Sequence, residues 1–230
     1  MAKRKVAIFD IDGTIFRSSL IVELFEELIS IGAFSANAGG AFHKELSAWH
    51  NRKGTYEDYI SALVRTYIKN IKGVHYGTLA DASKKVVKAQ SSMTYTYTRD
   101  LIEKLGAKNY FLLAISQSPR TIVDLFVKKF GFDKSYGRLY EIGPGDKFTG
   151  KIIDEHIIEN KANVVKRAIE KEGLTLTESY GIGDTEGDMS MLELVDNPIC
   201  FNPNRKLYRH AIRNGWKVVV ERKDVVYEIK

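Results

Sequence analysis

The chain has 230 residues, 35 Lys and Arg against 29 Asp and Glu, a formal net charge of +6, 44% hydrophobic residues and one cysteine. That length suits one large domain or a domain carrying an insertion, and the apolar content excludes general disorder. A single cysteine excludes an intramolecular disulfide framework, and no apolar run reaches the ~18 residues that a membrane span needs.

The basic start, Met1 to Lys5, leads into Val6-Ala7-Ile8-Phe9, which stops at Asp10 and is too short for a signal-peptide core. A cytoplasmic protein is expected. The lysines are scattered, and the nearest approach to a cluster, Lys84, Lys85 and Lys88, falls on one polar helix face. A solvated surface is therefore expected, with neither nucleic acid nor membrane as a partner.

Val6–Phe9 is the first predicted strand. From about Leu20 to about Met93 the pattern turns helical: Leu20, Leu24, Phe25 and Leu28; then Phe42, Leu46 and Trp49; then Tyr59, Ile60, Leu63, Val64 and Tyr67. This stretch is far longer than a strand-to-strand crossover needs, and it reads as an inserted helical unit. A second strand spans Tyr110 to Ile115 and runs into Ser116. Ser118-Pro119 then predicts a capped helix start, with Ile122, Leu125 and Phe126 as its apolar stripe. The flanks of Gly143-Pro144-Gly145-Asp146 predict a hairpin, and Asn160 predicts the cap of a helix carrying Val164, Val165, Ala168 and Ile169. Tyr180–Gly183, a short helix after Asp188, Ile199–Phe201 and Val218–Val220 complete the series, each apolar run ending in a polar residue with a helix start expected after it.

Continuous apolar runs alternating with amphipathic helices are the pattern of a parallel sheet covered on both faces. The fold class expected is α/β, with a Rossmann-like three-layer core and an inserted small helical cap. The expected domains are a core of residues 1–17 and 95–230 and a cap of residues 18–94. Ligands in such sheets bind beyond the carboxyl ends of the strands, so the polar residues at those ends are the candidates.

Asp10-Ile11-Asp12-Gly13-Thr14 follows the first strand, and two acids at i and i+2 in a loop can face one site. A calcium loop also opens this way, but Phe16, Ser18 and Ile21 stand where its later ligands belong. Gly183-Asp184-Thr185-Glu186-Gly187-Asp188 ends another strand; its glycine spacing is wrong for a dinucleotide loop, and Asp184 would repel a pyrophosphate. Four acids on one sheet edge repel one another unless a divalent cation sits among them, and hard oxygen ligands suit Mg²⁺. Ser116, at a strand end before a helix, offers a hydroxyl and free amides to an anion. Lys161 opens a helix, where a cation opposes the dipole; it either points at an anion or lies on the surface.

Together these four signals, in this order and spacing, resemble the haloacid dehalogenase superfamily of hydrolases, in its phosphoserine-phosphatase-like branch (subfamily IB). Ile115-Ser116-Gln117-Ser118-Pro119, the helical insertion and Phe201-Asn202-Pro203 are also similar to that branch. The resemblance implies an Mg²⁺-dependent phosphatase for a small phosphorylated metabolite. In it Asp10 is the nucleophile that becomes an aspartyl-phosphate, and Asp12 is the acid and base. It further implies phosphate binding by Ser116, Gln117 and Lys161, and metal binding by Asp10, the Asp12 main chain, Asp184 and Asp188. Phosphotransfer to another acceptor, or a regulatory module without turnover, are the alternatives on the same fold. Phosphoserine phosphatases usually carry a cap-side Glu soon after the first motif, and here that stretch reads Phe16-Arg17-Ser18-Ser19. The substrate is therefore left open. The five histidines lack metal-ligand spacing, and Cys200, between Ile199 and Phe201, is expected to be a buried apolar residue.

Overall fold

The computed structural model describes residues 3–229. In chain order the elements are β1 (Lys5–Phe9), α1 (Leu20–Ser30), α2 (His43–His50), α3 (Tyr56–Ile71), α4 (Tyr76–Gln90), α5 (Thr96–Ala107), β2 (Phe111–Pro119) and α6 (Arg120–Val127). There follow β3 (Lys134–Ile142), β4 (Phe148–Ile153), α7 (Glu155–Ile158), α8 (Lys161–Glu172), β5 (Thr175–Gly183), α9 (Met189–Leu192), β6 (Asn197–Phe201), α10 (Arg205–Asn214), β7 (Lys217–Arg222) and β8 (Val225–Ile229).

The eight strands form one sheet in the order β4-β3-β2-β1-β5-β6-β7-β8. The central six are parallel, and β4 and β8 close the two edges antiparallel. From β1 the chain winds outward through β2 and β3, then returns beside β1 at β5 and winds the other way. The winding reverses between β1 and β5, and the crevice at their carboxyl ends is where a doubly wound sheet binds its ligand.

Alternation along the strands builds the layers. Ala7, Phe9, Leu112, Ala114, Ile182 and Phe201 face one apolar cluster, together with residues of α1, α3, α5 and α6. Val6, Ile8, Leu113, Ile115, Cys200 and Val218 face the other, together with α8, α9 and α10. Cys200 is fully buried. On the first face the cluster continues without a break into the helical insertion, through Leu24, Phe25, Leu28, Phe34, Leu63 and Tyr67. The chain enters and leaves that insertion through two paired segments: the Arg17 amide donates to Met93, and the Tyr95 amide donates to Ile15.

Local chemistry fixes the helix ends. Thr55 and Asp58 form a reciprocal capping box at α3, each side chain accepting from the other's amide at 3.1 Å. The Asn160 side chain caps α8 as predicted, accepting from the Ala162 amide. Residues 140–142 and 148–152 form the expected hairpin arms.

Two expectations need correction. The helix after β2 starts at Arg120 rather than at Ser118-Pro119, and Ser118 does not cap it. A register shift lets β2 run on to pair Pro119 with Arg138, and the Ser118 hydroxyl turns away to α1. The run Val218–Val220 leads into a second strand rather than a helix, across a tight turn in which Lys223 adopts φ 55°. Its strand-end Glu221 is structural: its carboxylate accepts the Thr96 and Tyr97 amides at 3.0 and 2.9 Å and so caps α5.

Candidate active site

Asp10 is the first residue beyond β1, and its amide donates to Ile182 of β5, which fixes it at the reversal point. Gly13 lets the loop turn back over the neighbouring strand end. It has φ +81°, and a Cβ there would lie 2.2 Å from an Asp184 carboxylate oxygen. Within the second loop Gly183 makes room for Asp188, whose Cβ would lie 2.5 Å from an added Cβ. The two acidic loops thus close on each other because Gly13 has no side chain where they meet.

Asp10 is 5% exposed, Lys161 is 4% exposed and Asp188 is fully buried. The Lys161 ammonium donates to Asp10 Oδ1 and to Asp188 Oδ1, each at 2.5 Å. Lys161 is therefore not a surface lysine: it points inward from the N-terminus of α8 onto two carboxylates of the protein. Asp188 is also tied down on its other oxygen, which accepts the Asp184 and Thr185 amides at 2.9 Å. Its two oxygens thus hold the lysine on one side and the loop on the other.

Asp12 points elsewhere. Its Oδ1 accepts the Leu20 amide at 2.5 Å, and its Oδ2 accepts the Ser116 and Ser118 hydroxyls at 2.5 and 3.0 Å. The Ser118 hydroxyl in turn accepts the Ile21 amide at 3.1 Å. The first amides of α1, which Ser19 leaves uncapped, are thus satisfied from 8 and 97 residues away. Ser116 is fully buried, and its hydroxyl donates to Asp12. The Gln117 side chain lines the same cavity, and its carbonyl oxygen accepts from Arg138 at 3.4 Å.

Electrostatics mark the centre. Burial pushes the Asp10 carboxyl up to about 7; Lys161 opposes this, while Asp188 and Asp12 add to it. Burial likewise holds Asp184 well above the carboxylate range, with Asp10 and Asp188 next in effect. Burial alone would lower Lys161, but Asp10 and Asp188 outweigh it and raise the ammonium above its ordinary value. One lysine does not balance this many acids.

Oxygens of Asp10, Asp184 and Asp188 all lie within 4.8 Å of one another. Asp10 Oδ2 is buried and has no hydrogen-bond partner among the described residues, although buried polar atoms are normally paired. Among the described residues the Asp184 carboxylate receives only the Thr14 hydroxyl, at 3.4 Å. An orphaned, buried carboxylate oxygen beside a second carboxylate with few donors fits a hard divalent cation.

The cavity measures about 420 Å³ and includes Asp10, Asp12, Gln117, Ser118, Lys161 and Asp184 in its lining. Thr14, Ser118 and the α3 side chains Tyr56, Glu57, Ile60 and Val64 are site residues that sequence reasoning did not assign to it. Thr14 and Ser118 carried a signal, since both belong to the quoted motifs. Tyr56 and its neighbours carried none, because their apolar spacing serves the insertion's own packing equally well. No helix among the described residues is long and apolar enough to cross a membrane.

The chain is similar to known proteins along nearly its whole length. A histidinol-phosphatase of Neisseria meningitidis is 24% identical over 229 residues, which cover 94% of this chain and 98% of that one. A structure titled as a phospho-aspartyl intermediate analogue of phosphoserine phosphatase superposes with TM-score 0.65 at 20% identity, covering 97% of this chain and 96% of the other. A Bordetella pertussis Tohama I protein of unknown function superposes with TM-score 0.76 at 19% identity, covering 94% and 98%. The family model for haloacid dehalogenase-like hydrolases matches residues 7–193, more than three quarters of the sequence. With the two acidic loops and the buried lysine inside that span, the chain belongs to the haloacid dehalogenase-like hydrolase family.

Proposed function

We propose that this hydrolase is a phosphatase that cleaves a small phosphate monoester through a covalent intermediate on Asp10. The observation that carries this reading is Asp10 itself. It is a buried carboxylate at the sheet's reversal point, with one oxygen on Lys161 and the other unpartnered. The names of the similar proteins, a histidinol-phosphatase and a phosphoserine phosphatase, support the same reaction class.

In this reading an Asp10 oxygen attacks phosphorus and the bond to the alcohol oxygen breaks, leaving the phosphoryl group on Asp10. Asp12 gives its proton to the departing alkoxide. Water then attacks the same phosphorus, Asp12 takes up the proton that the water releases, and Asp10 is regenerated as phosphate departs. The Leu20 amide and the Ser116 and Ser118 hydroxyls hold the Asp12 side chain in one orientation, and in this reading Asp12 enters the cycle protonated and ends it protonated. Ser116, Gln117 and Lys161 are assigned to the transferring oxygens, where fixed donors favour the charge that develops during transfer. Asp10 and Asp184 would hold Mg²⁺, with Asp188 behind them; any share from Asp12 would come from its main chain, because its side chain is engaged elsewhere. When bound, the ion supplies positive charge that offsets repulsion between the carboxylate and a phosphate dianion. The helices α1–α4, residues 18–94 with their connections, are assigned as the cap that shields the site from bulk water.

The direct test is hydrolysis of an aryl phosphate with Mg²⁺ by the wild type beside Asp10→Asn. Phosphate release by the wild type and its loss in the variant support the reading. Full activity in Asp10→Asn would exclude Asp10 as the nucleophile.

A further inference from the structure

We infer that the ester's alcohol carries a cationic nitrogen on a compact, partly apolar body and has no second anionic group. This rests on the phosphatase reading above and names the substrate class of that same site.

A cavity of about 420 Å³ is of small-molecule size. Beyond the acids that serve the phosphoryl group, one wall is a single face of α3. Tyr56, Ile60 and Val64 recur every fourth residue and so stand in one row, and Ile21 of α1 adds to the apolar surface. Tyr56 belongs to an aromatic group, its ring centroid 5.1 Å from Trp49 and 6.0 Å from Tyr59. The apolar wall is therefore braced from behind and can offer an aromatic surface to a cation.

The charges decide what the far end of the alcohol can be. Glu57, Glu159 and Glu186 line the cavity in addition to the catalytic acids. The lining holds two cations, and carboxylates of the protein already engage both. Lys161 is between Asp10 and Asp188, and the Lys206 ammonium is 2.9 Å from Glu186. Glu57 and Glu159 are exposed and have no ion pair among the described residues. Arg138 lies outside the lining, behind Gln117. A carboxylate or second phosphate on the leaving alcohol would thus meet three glutamates and, among the described residues of the lining, no cation that is not already paired, whereas an ammonium would meet two glutamates that no cation neutralises, Glu57 accepting only the Ser61 hydroxyl and Glu159 having no ion pair. Selectivity built this way works as much by rejecting the wrong charge as by attracting the right one.

The experiment compares kcat/KM for phosphoethanolamine, propyl phosphate, phosphoserine and 3-phosphoglycerate, with p-nitrophenyl phosphate as the reference. Phosphoethanolamine is expected to exceed 3-phosphoglycerate by about tenfold or more, the factor that one well-placed charge contact contributes. The ratio of the two should collapse in the double charge reversal Glu57→Lys, Glu159→Lys. Because the ratio is taken within one preparation, partial misfolding of the variant does not move it. Equal or better cleavage of 3-phosphoglycerate by the wild type overturns the inference and leaves the phosphatase reading standing. A ratio unchanged by the charge reversal overturns it as well. No hydrolysis of any ester, p-nitrophenyl phosphate included, removes both.

Discussion

Lys161→Met removes a buried ammonium and keeps the apolar bulk of the side chain. The two carboxylates it serves, Asp10 and Asp188, are 5% and 0% exposed, and each loses a 2.5 Å charge-assisted bond. Asp188 still accepts two loop amides, so part of its charge remains solvated by the main chain, whereas the Asp10 carboxylate has no other donor among the described residues. Breaking a buried pair by deleting one partner costs about 3–5 kcal/mol, because the remaining charge is left uncompensated. For a chain of this length that corresponds to a melting temperature lower by roughly 6–20 °C. The assay is thermal unfolding in the presence of a chelator, for the wild type, Lys161→Met, Asp188→Asn and the double variant. The double variant should be more stable than the two single losses added together, since each deletion removes a partner that the other had stranded. A single variant melting within about 2 °C of the wild type, or strict additivity in the cycle, would refute the view that Lys161 compensates buried charge.

Other expectations follow from the same geometry. Gly13→Ala places a methyl group 2.2 Å from an Asp184 oxygen in a left-handed backbone conformation. It should destabilise the fold by about 1–3 kcal/mol and lower the hydrolysis rate at least 100-fold, to be read by melting and by phosphate release. Mg²⁺ at roughly a hundredfold its Kd should stabilise the wild type by about 2.7 kcal/mol, an effect that Asp184→Asn should abolish when melting curves with and without the ion are compared. An unchanged response in Asp184→Asn would remove Asp184 from the ion site. Glu221→Ala should lower stability by about 1 kcal/mol in denaturant titration, because α5 loses two amide acceptors, and it should leave kcat untouched.

The acids and the lysine were legible because short-range rules place them. Each follows a short apolar strand, or opens a helix, and the parallel pattern brings all such ends to one edge. The partnership of Lys161 with both Asp10 and Asp188 was not legible, since it spans 151 and 27 residues. Asp12 shows the limit clearly: its position followed from the motif, yet its bonds to Ser116, Ser118 and the Leu20 amide depend on how β2 meets α1. Ser118 reads locally as a helix cap, and tertiary contacts redirect it to another helix. The β7–β8 hairpin escaped notice because the turn at Lys223 relies on a left-handed residue that carries no glycine to announce it. The cap's contribution to the cavity was hidden for a similar reason, as Tyr56, Ile60 and Val64 look like ordinary helix packing until α3 is seen beside Asp10.

The central claim is that phosphorus is attacked by Asp10, and one measurement addresses it directly. The enzyme is mixed with p-nitrophenyl phosphate and Mg²⁺, quenched in acid within the first turnover, digested, and mapped for phosphoryl groups by mass spectrometry. The account expects a hydroxylamine-labile phosphoryl group on Asp10 in the wild type and none in Asp10→Asn. A phosphoryl group on another residue such as Ser116, or rapid single-turnover hydrolysis in which no adduct forms at any quench time, would contradict it.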